Sequence, residues 1–131
     1  MRYLVDTSVL IQSLLSKPNL NKRALNLLAD DSSELYFSAA SSWEIVIKVA
    51  IGKLVLPEQP SEFVTSAIRL MALESLDITH SHAFAVAALP NHHRDPFDRM
   101  LIAQAQVEQL VLLTSDHVFE QYKVKHVFCG R

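Results

Sequence analysis

Four acidic residues in this chain stand where a predicted strand ends or a predicted helix begins: Asp6, Glu44, Asp98 and Asp116. Asp6 directly follows the hydrophobic run Tyr3-Leu4-Val5, which has the composition of a buried strand. In open parallel sheets, ligands bind beyond the carboxyl ends of the strands. A carboxylate at this point therefore occupies a site position, and the other three acids matter if the fold brings them to the same edge.

Four carboxylates in one pocket would have a specific chemistry. Two of them about 4 Å apart repel by roughly 4 kcal/mol at an effective dielectric constant of 20, so the pocket needs protons or cations to be stable. Oxygen ligands select hard cations such as Mg²⁺ or Mn²⁺. These ions activate water and stabilise a displacement at phosphorus. The pattern therefore favours a metal-dependent nuclease.

Three of the acids also have structural explanations that the sequence alone leaves open. Asp6 and Asp116 could cap the helical segments that follow them, each cap being worth about 1 kcal/mol. Ser41-Ser42-Trp43-Glu44 matches the capping box, in which the glutamate reaches back to the cap amide. Glu44 also stands four residues before Lys48, the spacing of a stabilising helical ion pair.

In the segment Asp95-Pro96-Phe97-Asp98, the sequence distinguishes a capping residue from a candidate functional residue more clearly. Proline is favoured at the first helical position, which makes Asp95 the predicted cap and leaves Asp98 in the first turn. The helix continues as Met100-Leu101-Ile102-Ala103, a buried sequence. We therefore expect Asp98 at the rim of the core, in a functional rather than a capping role.

The elements that position these acids alternate along the chain. Short runs of β-branched and aromatic residues alternate with longer segments of helical period, which is typical of βα units around a parallel sheet. The predicted strands are Arg2 to Asp6, Leu35 to Ser38, Ser75 to Ile78, Val111 to Ser115 and His126 to Cys129. The predicted helices contain Leu10 to Leu15 and Ala24 to Leu28 and then run from Ser41 to Ile51, Ser61 to Ala72, Thr79 to Leu89 and Pro96 to Gln109. In a doubly wound sheet the strand at 111–115 lies beside the first strand, so Asp6 and Asp116 become neighbours.

Length and composition narrow the class of protein. The 131 residues suffice for one domain, residues 1–131, and half of them are apolar. A net charge of −2 provides no field that attracts a polyanion, so nucleic-acid binding needs a local basic patch or bound cations. The single Cys129 cannot form an internal disulfide, which favours the cytoplasm. Asp6 interrupts the N-terminal apolar stretch and no apolar run approaches 18 residues, so neither a signal peptide nor membrane attachment is expected.

Four segments, in order, resemble the PIN domain family, and within it the VapC-type toxins of prokaryotic toxin–antitoxin pairs. They are Leu4-Val5-Asp6-Thr7-Ser8, Ser41-Ser42-Trp43-Glu44-Ile45, His93-Arg94-Asp95-Pro96-Phe97-Asp98-Arg99 with Leu101-Ile102-Ala103, and Leu113-Thr114-Ser115-Asp116. The resemblance implies an α/β fold, a three-layer α/β/α sandwich with a mostly parallel central sheet. It also implies an endoribonuclease that uses one or two Mg²⁺ or Mn²⁺ ions.

The resemblance also assigns roles to individual residues. It implies that Asp6 and Asp98 are the principal metal ligands, that Glu44 is a ligand or water-orienting base, and that Asp116 completes the quartet. The position of Asp98 relative to Asp116 matches the family's interval, and Asp95 is then a cap or supporting group. The polar residues beside the acids are expected to support the site or contact substrate: Thr7, Ser8, Thr114 and Ser115.

Several neighbouring residues keep two interpretations. Arg94 and Arg99 flank the acids and are candidates for contacts with substrate phosphates, with an ion pair to Asp95 as the alternative. His92 and His93 are adjacent in a loop, which favours surface or hydrogen-bonding roles over ligation of one ion. Trp43 is expected in the core rather than as a platform for RNA bases.

The partners implied by the resemblance are RNA, a small cognate antitoxin that covers the acidic pocket, and a second copy of the chain. The helix Ile45 to Ile51 and the segment Ser61 to Ala72 are candidate contact surfaces. A receiver domain would need an acid after its third strand, where the chain has Ile78-Thr79, and a dehalogenase-type phosphatase would need a second Asp at Ser8. A non-catalytic PIN-like RNA- or protein-binding module is the remaining alternative, although it would be expected to have lost some of the acids.

Overall fold

The computed structural model describes all 131 residues and contains one parallel five-stranded sheet with the strand order β3-β2-β1-β4-β5. The strands are β1 (Arg2–Val5), β2 (Glu34–Ser38), β3 (Glu74–Leu76), β4 (Val111–Thr114) and β5 (His126–Phe128). Strand β1 pairs in parallel with β2 on one side and with β4 on the other. The order therefore reverses between β1 and β4, and the predicted neighbourhood of these two strands is confirmed.

Six α-helices connect and cover the strands. They are α1 (Thr7–Leu15), α2 (Lys22–Ala29), α3 (Ala39–Ala50), α4 (Pro60–Leu70), α5 (His80–Val86) and α6 (Pro96–Glu108), with short 3-10 helices at Lys17–Asn19 and His117–Gln121. Two α-helices lie in each of the crossovers from β1 to β2, from β2 to β3 and from β3 to β4, whereas the crossover from β4 to β5 contains only the 3-10 helix at 117–121. Such crossovers are needed because parallel strands cannot be joined by a tight hairpin. None of the helices has both the length and the hydropathy required to cross a membrane.

The sheet separates two hydrophobic clusters, which makes the fold a three-layer α/β/α sandwich. Alternate residues of β1 point to opposite faces. Tyr3 and Val5 pack in the cluster formed with α1, α2, α3 and α4, whereas Leu4 packs with α6 and the 3-10 helix at 117–121. Because both faces of β1 are covered from Tyr3 to Val5, these residues are apolar, and the first hydrophilic position after them is Asp6 at the edge of the sheet.

The start of α3 differs from the sequence-based expectation. Helix α3 begins at Ala39, where the Ser38 hydroxyl accepts the Ala40 amide hydrogen, so the predicted capping box from Ser41 to Glu44 is wrong. A capping box forms instead at α5, where Thr79 and His82 exchange side-chain and backbone hydrogen bonds. The earlier start of α3 moves Glu44 into the second turn of the helix, and its carboxylate is free for other contacts.

Candidate active site

An acidic cavity of about 530 Å³ opens beyond the carboxyl ends of β1 and β4. This is the point where the strand order reverses, the position at which open α/β sheets bind ligands. Its lining contains all four acids singled out in the sequence and few apolar side chains: Asp6, Thr7, Ser8, Ile11, Glu44, Lys48, Lys53, Leu54, Asp95, Asp98, Ser115, Asp116 and His117.

Asp6 is held at the floor of the cavity by hydroxyl groups from two elements. The Thr114 hydroxyl donates to its carboxylate at 2.9 Å and the Ser8 hydroxyl at 3.3 Å, while the Asp6 amide bonds to the Leu113 carbonyl at 2.9 Å. Its side chain makes no capping hydrogen bond to α1, so the cap explanation is wrong. Burial raises the pKa of Asp6 to about 6; the hydrogen bond from Thr114 opposes this rise, and the negative charge of Glu44 adds a smaller increase.

Glu44 is buried although it is charged, and two donors satisfy its carboxylate. Thr7 donates to one oxygen at 2.7 Å and the Lys48 ammonium to the other at 2.6 Å. The hydrogen bond to Glu44 raises the pKa of Lys48, and the negative charges of Asp95 and Asp98 add to this rise. The predicted ion pair between Glu44 and Lys48 is confirmed, but it lies at the cavity and not on an exposed helix face.

Asp98 projects from the first turn of α6 and is the most perturbed carboxyl group of the site. Its side chain is only 16% exposed, and burial raises the pKa of Asp98 to about 8 together with the negative charges of Asp6, Asp95, Glu44 and Asp116. The Nε2 atom of His93 lies 3.5 Å from its Oδ2 atom. The electrostatic influence of four other acids on one carboxyl group shows that the fold concentrates negative charge here.

Two further acids line the same cavity but are occupied as helix caps. The Asp95 carboxylate accepts the amide hydrogens of Phe97 at 2.8 Å and Asp98 at 3.1 Å, which confirms the predicted cap of α6. The Asp116 carboxylate accepts the Val118 amide hydrogen at 2.9 Å at the start of the 3-10 helix. Asp116 is exposed and lies at the mouth of the cavity. It therefore caps the 3-10 helix and lines the cavity as well.

A hydroxyl bridge joins the two strand ends under the acids. The hydroxyls of Ser8 and Ser115 lie 2.9 Å apart, and the Thr114 hydroxyl accepts the Asp116 amide hydrogen at 3.0 Å. All four hydroxyl residues expected beside the acids therefore contact an acid or each other. They fix the backbone after β1 and β4 as one rigid base for the carboxylates.

The two arginines that were candidates for contacts with substrate phosphates, Arg94 and Arg99, do not line the cavity. The Arg99 guanidinium bonds to the carbonyls of Pro90 at 2.8 Å, Val86 at 3.3 Å and Leu89 at 3.4 Å, so it meets neither the cavity nor Asp95. Arg94 is exposed and does not line the cavity.

The expectation that Trp43 lies in the core is wrong, because this side chain is 59% exposed and packs edge-on against Phe97.

The cavity also contains basic groups that the sequence analysis did not assign to the site. Lys48, Lys53 and His117 line it, and the His117 ring stacks on Phe128 with the ring centroids 4.0 Å apart. The spacing of Lys48 from Glu44 predicted their ion pair, but it could not show that this face of α3 lines the cavity. Lys53 and His117 lie in loop and 3-10 segments without a periodic pattern that could have identified them.

The donor set fits a hard divalent cation. The carboxylate and hydroxyl oxygens of the cavity are the ligands that Mg²⁺ and Mn²⁺ prefer, and the acids around Asp98, together with its burial, raise its pKa, an effect that a bound cation would oppose. No three acidic, histidine or cysteine side chains converge on one ion position. Mg²⁺ is commonly bound by one or two carboxylates with water completing its shell, and this arrangement suits carboxylates that surround a cavity.

Comparisons with known proteins agree with this geometry. The model of the PIN domain matches residues 3–125 of the chain. The chain is 33% identical over 69 residues to Ribonuclease VapC16 of Mycobacterium tuberculosis, and this alignment covers 50% of the chain and 49% of the relative, so it spans about half the length of that protein.

Solved structures share the fold over nearly the whole chain. VapBC2 from Rickettsia felis, bound to a promoter DNA fragment, superposes with a TM-score of 0.74 at 19% identity and covers 99% of this chain and 100% of that chain. FitAcB from Neisseria gonorrhoeae gives a TM-score of 0.68 at 24% identity, with 96% of each chain covered. At such identities the likeness concerns the fold alone.

Proposed function

The chain belongs to the PIN domain family, and we propose that it is a metal-dependent endoribonuclease that acts as the toxin of a toxin–antitoxin pair. One observation carries the proposal. Asp6 and Asp98 share a cavity at the switch point of the sheet, and each has a raised pKa to which the surrounding acids contribute. A pocket of this kind is costly unless it binds cations, and metal-assisted hydrolysis at phosphorus is the chemistry that such a pocket supports.

We assign one or two Mg²⁺ or Mn²⁺ ions to the carboxylates of Asp6, Asp98 and Glu44, with Asp116 at the mouth of the cavity. When bound, such an ion lowers the pKa of a water molecule and stabilises charge that develops on the phosphate. The chain's own contribution is to hold the carboxylates in place. Thr7 fixes Glu44 and Thr114 fixes Asp6, so few side chains have to reorganise when the ion binds.

Lys48 and Lys53 are proposed to meet the substrate backbone. Both lysines line the cavity beside the acids, and phosphate oxygens are the usual partners of lysine in nucleic-acid complexes. Since the whole chain carries a charge of −2, these local cations and the bound metal would supply the attraction. Arg94, exposed in the loop before α6, remains a candidate for a further phosphate contact, whereas Arg99 is committed to backbone carbonyls.

RNA is proposed as the substrate because the characterised relative is a ribonuclease, and the similar region includes about half of that protein. We propose that residues 1–131 form a single nuclease domain. The free thiol of Cys129, which is buried, fits the reducing cytoplasm in which such a nuclease would act.

An antitoxin and a homodimer are proposed as partners. The similar solved structures include a toxin–antitoxin complex from Klebsiella pneumoniae and VapBC2 from Rickettsia felis. This chain has large apolar side chains exposed on α3, on the connection after it and at the end of α4: Trp43, Val46, Ile51, Val55 and Leu70. Apolar groups gathered on neighbouring elements suit a protein interface. A monomer in light scattering at tens of micromolar would contradict the dimer, and harmless expression of the intact chain alone would contradict the toxin role.

The decisive test incubates the purified protein with single-stranded RNA in Mg²⁺ or Mn²⁺ and in excess EDTA. We expect internal cleavage with the metals and none with the chelator. Sequencing the cut ends would define the cleavage site. Full activity in EDTA would contradict the metal mechanism, and Mn²⁺ binding without cleavage of any RNA would favour the non-catalytic PIN-like binding module.

A further inference from the structure

His93 links the most perturbed acid of the cavity to the layer of helices behind it. Its ring is 17% exposed, with Nε2 at 3.5 Å from the Asp98 Oδ2 atom and Nδ1 at 2.6 Å from the Tyr122 hydroxyl. The Nε2 atom is buried and has no hydrogen-bond partner in the metal-free structure. A buried polar atom without a partner is costly, so this nitrogen is placed to bond to Asp98 after a small movement of either group.

The contacts of Tyr122 favour a proton on the Nε2 atom of His93. Arg99 donates to the Tyr122 hydroxyl oxygen at 3.4 Å, and arginine can only donate. The hydroxyl oxygen therefore serves as an acceptor toward Arg99, and its hydrogen is available to donate to His93 Nδ1. An Nδ1 atom that accepts leaves the proton on Nε2, the atom that faces Asp98.

We infer that His93 is a positioning residue for Asp98, oriented by Tyr122 and Arg99 so that its Nε2–H group holds the Asp98 carboxylate in the orientation that binds the metal. The inference rests on the proposed function. It also explains Arg99, whose guanidinium anchors both the end of α5 and the Tyr122 hydroxyl. Such supporting hydrogen bonds to metal-binding carboxylates commonly set the ligand's orientation and the affinity for the metal.

The neighbouring His92 offers a matched control. Its ring also packs edge-on against Tyr122, with the centroids 4.9 Å apart, but it is exposed and has no contact with an acid.

The experiment measures Mn²⁺ affinity by electron paramagnetic resonance of the free ion in four full-length proteins: wild type, His93→Ala, His93→Gln and His92→Gln. We expect His93→Ala to bind Mn²⁺ about 10- to 100-fold more weakly, the range for loss of a supporting partner. Glutamine can place an amide N–H near the position of Nε2, so His93→Gln should stay within about threefold of wild type. His92→Gln should match wild type.

A second measurement tests the orientation without metal. Two-bond ¹⁵N–¹H correlation spectra at pH 8 report the imidazole tautomer, and the His93 signal is identified by its absence in His93→Gln. We expect the Nε2–H tautomer in wild type and a mixture of tautomers in Tyr122→Phe. A wild-type Nδ1–H tautomer, or an Mn²⁺ affinity of His93→Ala equal to that of wild type, would overturn the inference.

The two proposals fail in different ways. If wild type binds no Mn²⁺, the proposed function is wrong, while the tautomer of His93 still decides whether Tyr122 and Arg99 orient the ring. If wild type binds Mn²⁺ and loses it on Asp98→Asn but not on His93→Ala, the metal site stands and the role of His93 is refuted.

Discussion

Two cavities of nearly equal volume lie at opposite edges of the sheet and differ in chemistry. The acidic cavity, about 530 Å³, lies beyond the carboxyl ends of β1 and β4. The other, about 540 Å³, lies at the amino-terminal edge of β4 and β5 and is lined by Ala105, Gln106, Gln109, Leu110, Lys123, Val124 and Lys125. Their volumes alone therefore do not show which of the two cavities is functional.

The difference lies in how their polar groups are satisfied. At the amino-terminal edge, the Gln106 amide donates to the Lys123 carbonyl at 3.0 Å, and the Lys125 carbonyl accepts the Leu112 amide hydrogen at 2.8 Å. These groups serve the fold, and both lysine side chains are exposed. At the carboxyl edge, Asp6 is buried and Asp98 is half-buried, and both lie beside other acids. The comparison indicates that the functional cavity is distinguished by its closely spaced carboxylates, whose pKa values are raised, and not by its volume.

The largest expected effect is on catalysis. Asp6→Asn and Asp98→Asn should each reduce RNA cleavage by more than about 100-fold, because loss of a direct ligand exceeds the 10- to 100-fold effect of an outer partner. Gln106→Ala and Lys123→Ala, in the opposite cavity, should leave the rate unchanged. Initial rates on one labelled RNA in Mn²⁺ measure both sets. An equal loss from both cavities would show that the comparison has no functional meaning.

Metal should stabilise the protein through the acidic cavity alone. At an Mn²⁺ concentration 100 times its dissociation constant, the free energy of unfolding of wild type should increase by about 2.7 kcal/mol. Asp98→Asn should gain much less at the same concentration, and Lys123→Ala should respond as wild type does. Thermal melting with and without Mn²⁺ provides the measurement. An unchanged response of Asp98→Asn would remove this residue from the metal site.

The metal-free protein should lose stability as pH rises. Folding raises the pKa of Asp98 from its ordinary value of 3.8 to about 8, so between these values the folded state binds more protons than the unfolded state. Stability then falls with increasing pH, by at most about 1.4 kcal/mol per pH unit for one proton. Asp6 contributes only up to its pKa of about 6.

The interval from pH 6 to pH 8 therefore isolates Asp98. In chelator, wild type should lose stability across this interval, whereas Asp98→Asn should lose less and be the more stable protein at pH 8. Denaturant unfolding at pH 6, 7 and 8 compares them. A variant that is less stable than wild type at pH 8 would make Asp98 a structural residue.

The smallest expected effect is on the free energy of unfolding, and it tests whether Asp95 acts as a helix cap rather than as a metal ligand. Asp95→Ala should reduce the free energy of unfolding by about 1 kcal/mol, because it removes the acceptor for two amide hydrogens at the start of α6. Asp95→Asn keeps a capping oxygen and should be close to neutral. Unfolding by denaturant at pH 6 tests both. A large loss for the Asn variant would mean that the charge of Asp95, and not its cap, is needed.

Local patterns in the sequence were sufficient for the order of elements and for much of the site. The apolar runs predicted all five strands to within a few residues, because the central strands β1 and β4 are covered on both faces and are therefore mostly apolar. The Asp95-Pro96 pair predicted the start of α6 correctly, since proline at the first helical position and an acidic cap are properties of adjacent residues. The gathering of Asp6, Asp98 and Asp116 followed from the reversal of strand order.

Only the tertiary structure determined which of the possible contacts each of these side chains makes. Ser41 and Glu44 have the spacing of a capping box, but Ser38 caps α3 and Glu44 turns to Thr7 and Lys48. Arg99 lies next to Asp98 in sequence yet turns away to carbonyls at the end of α5. A side chain's partners depend on which face of its helix the sheet covers, and that is set by contacts between distant segments. Asp95 lies in the same helix start as Asp98, but the other acids that raise the pKa of Asp98, namely Asp6, Glu44 and Asp116, come from segments that meet only in the folded protein.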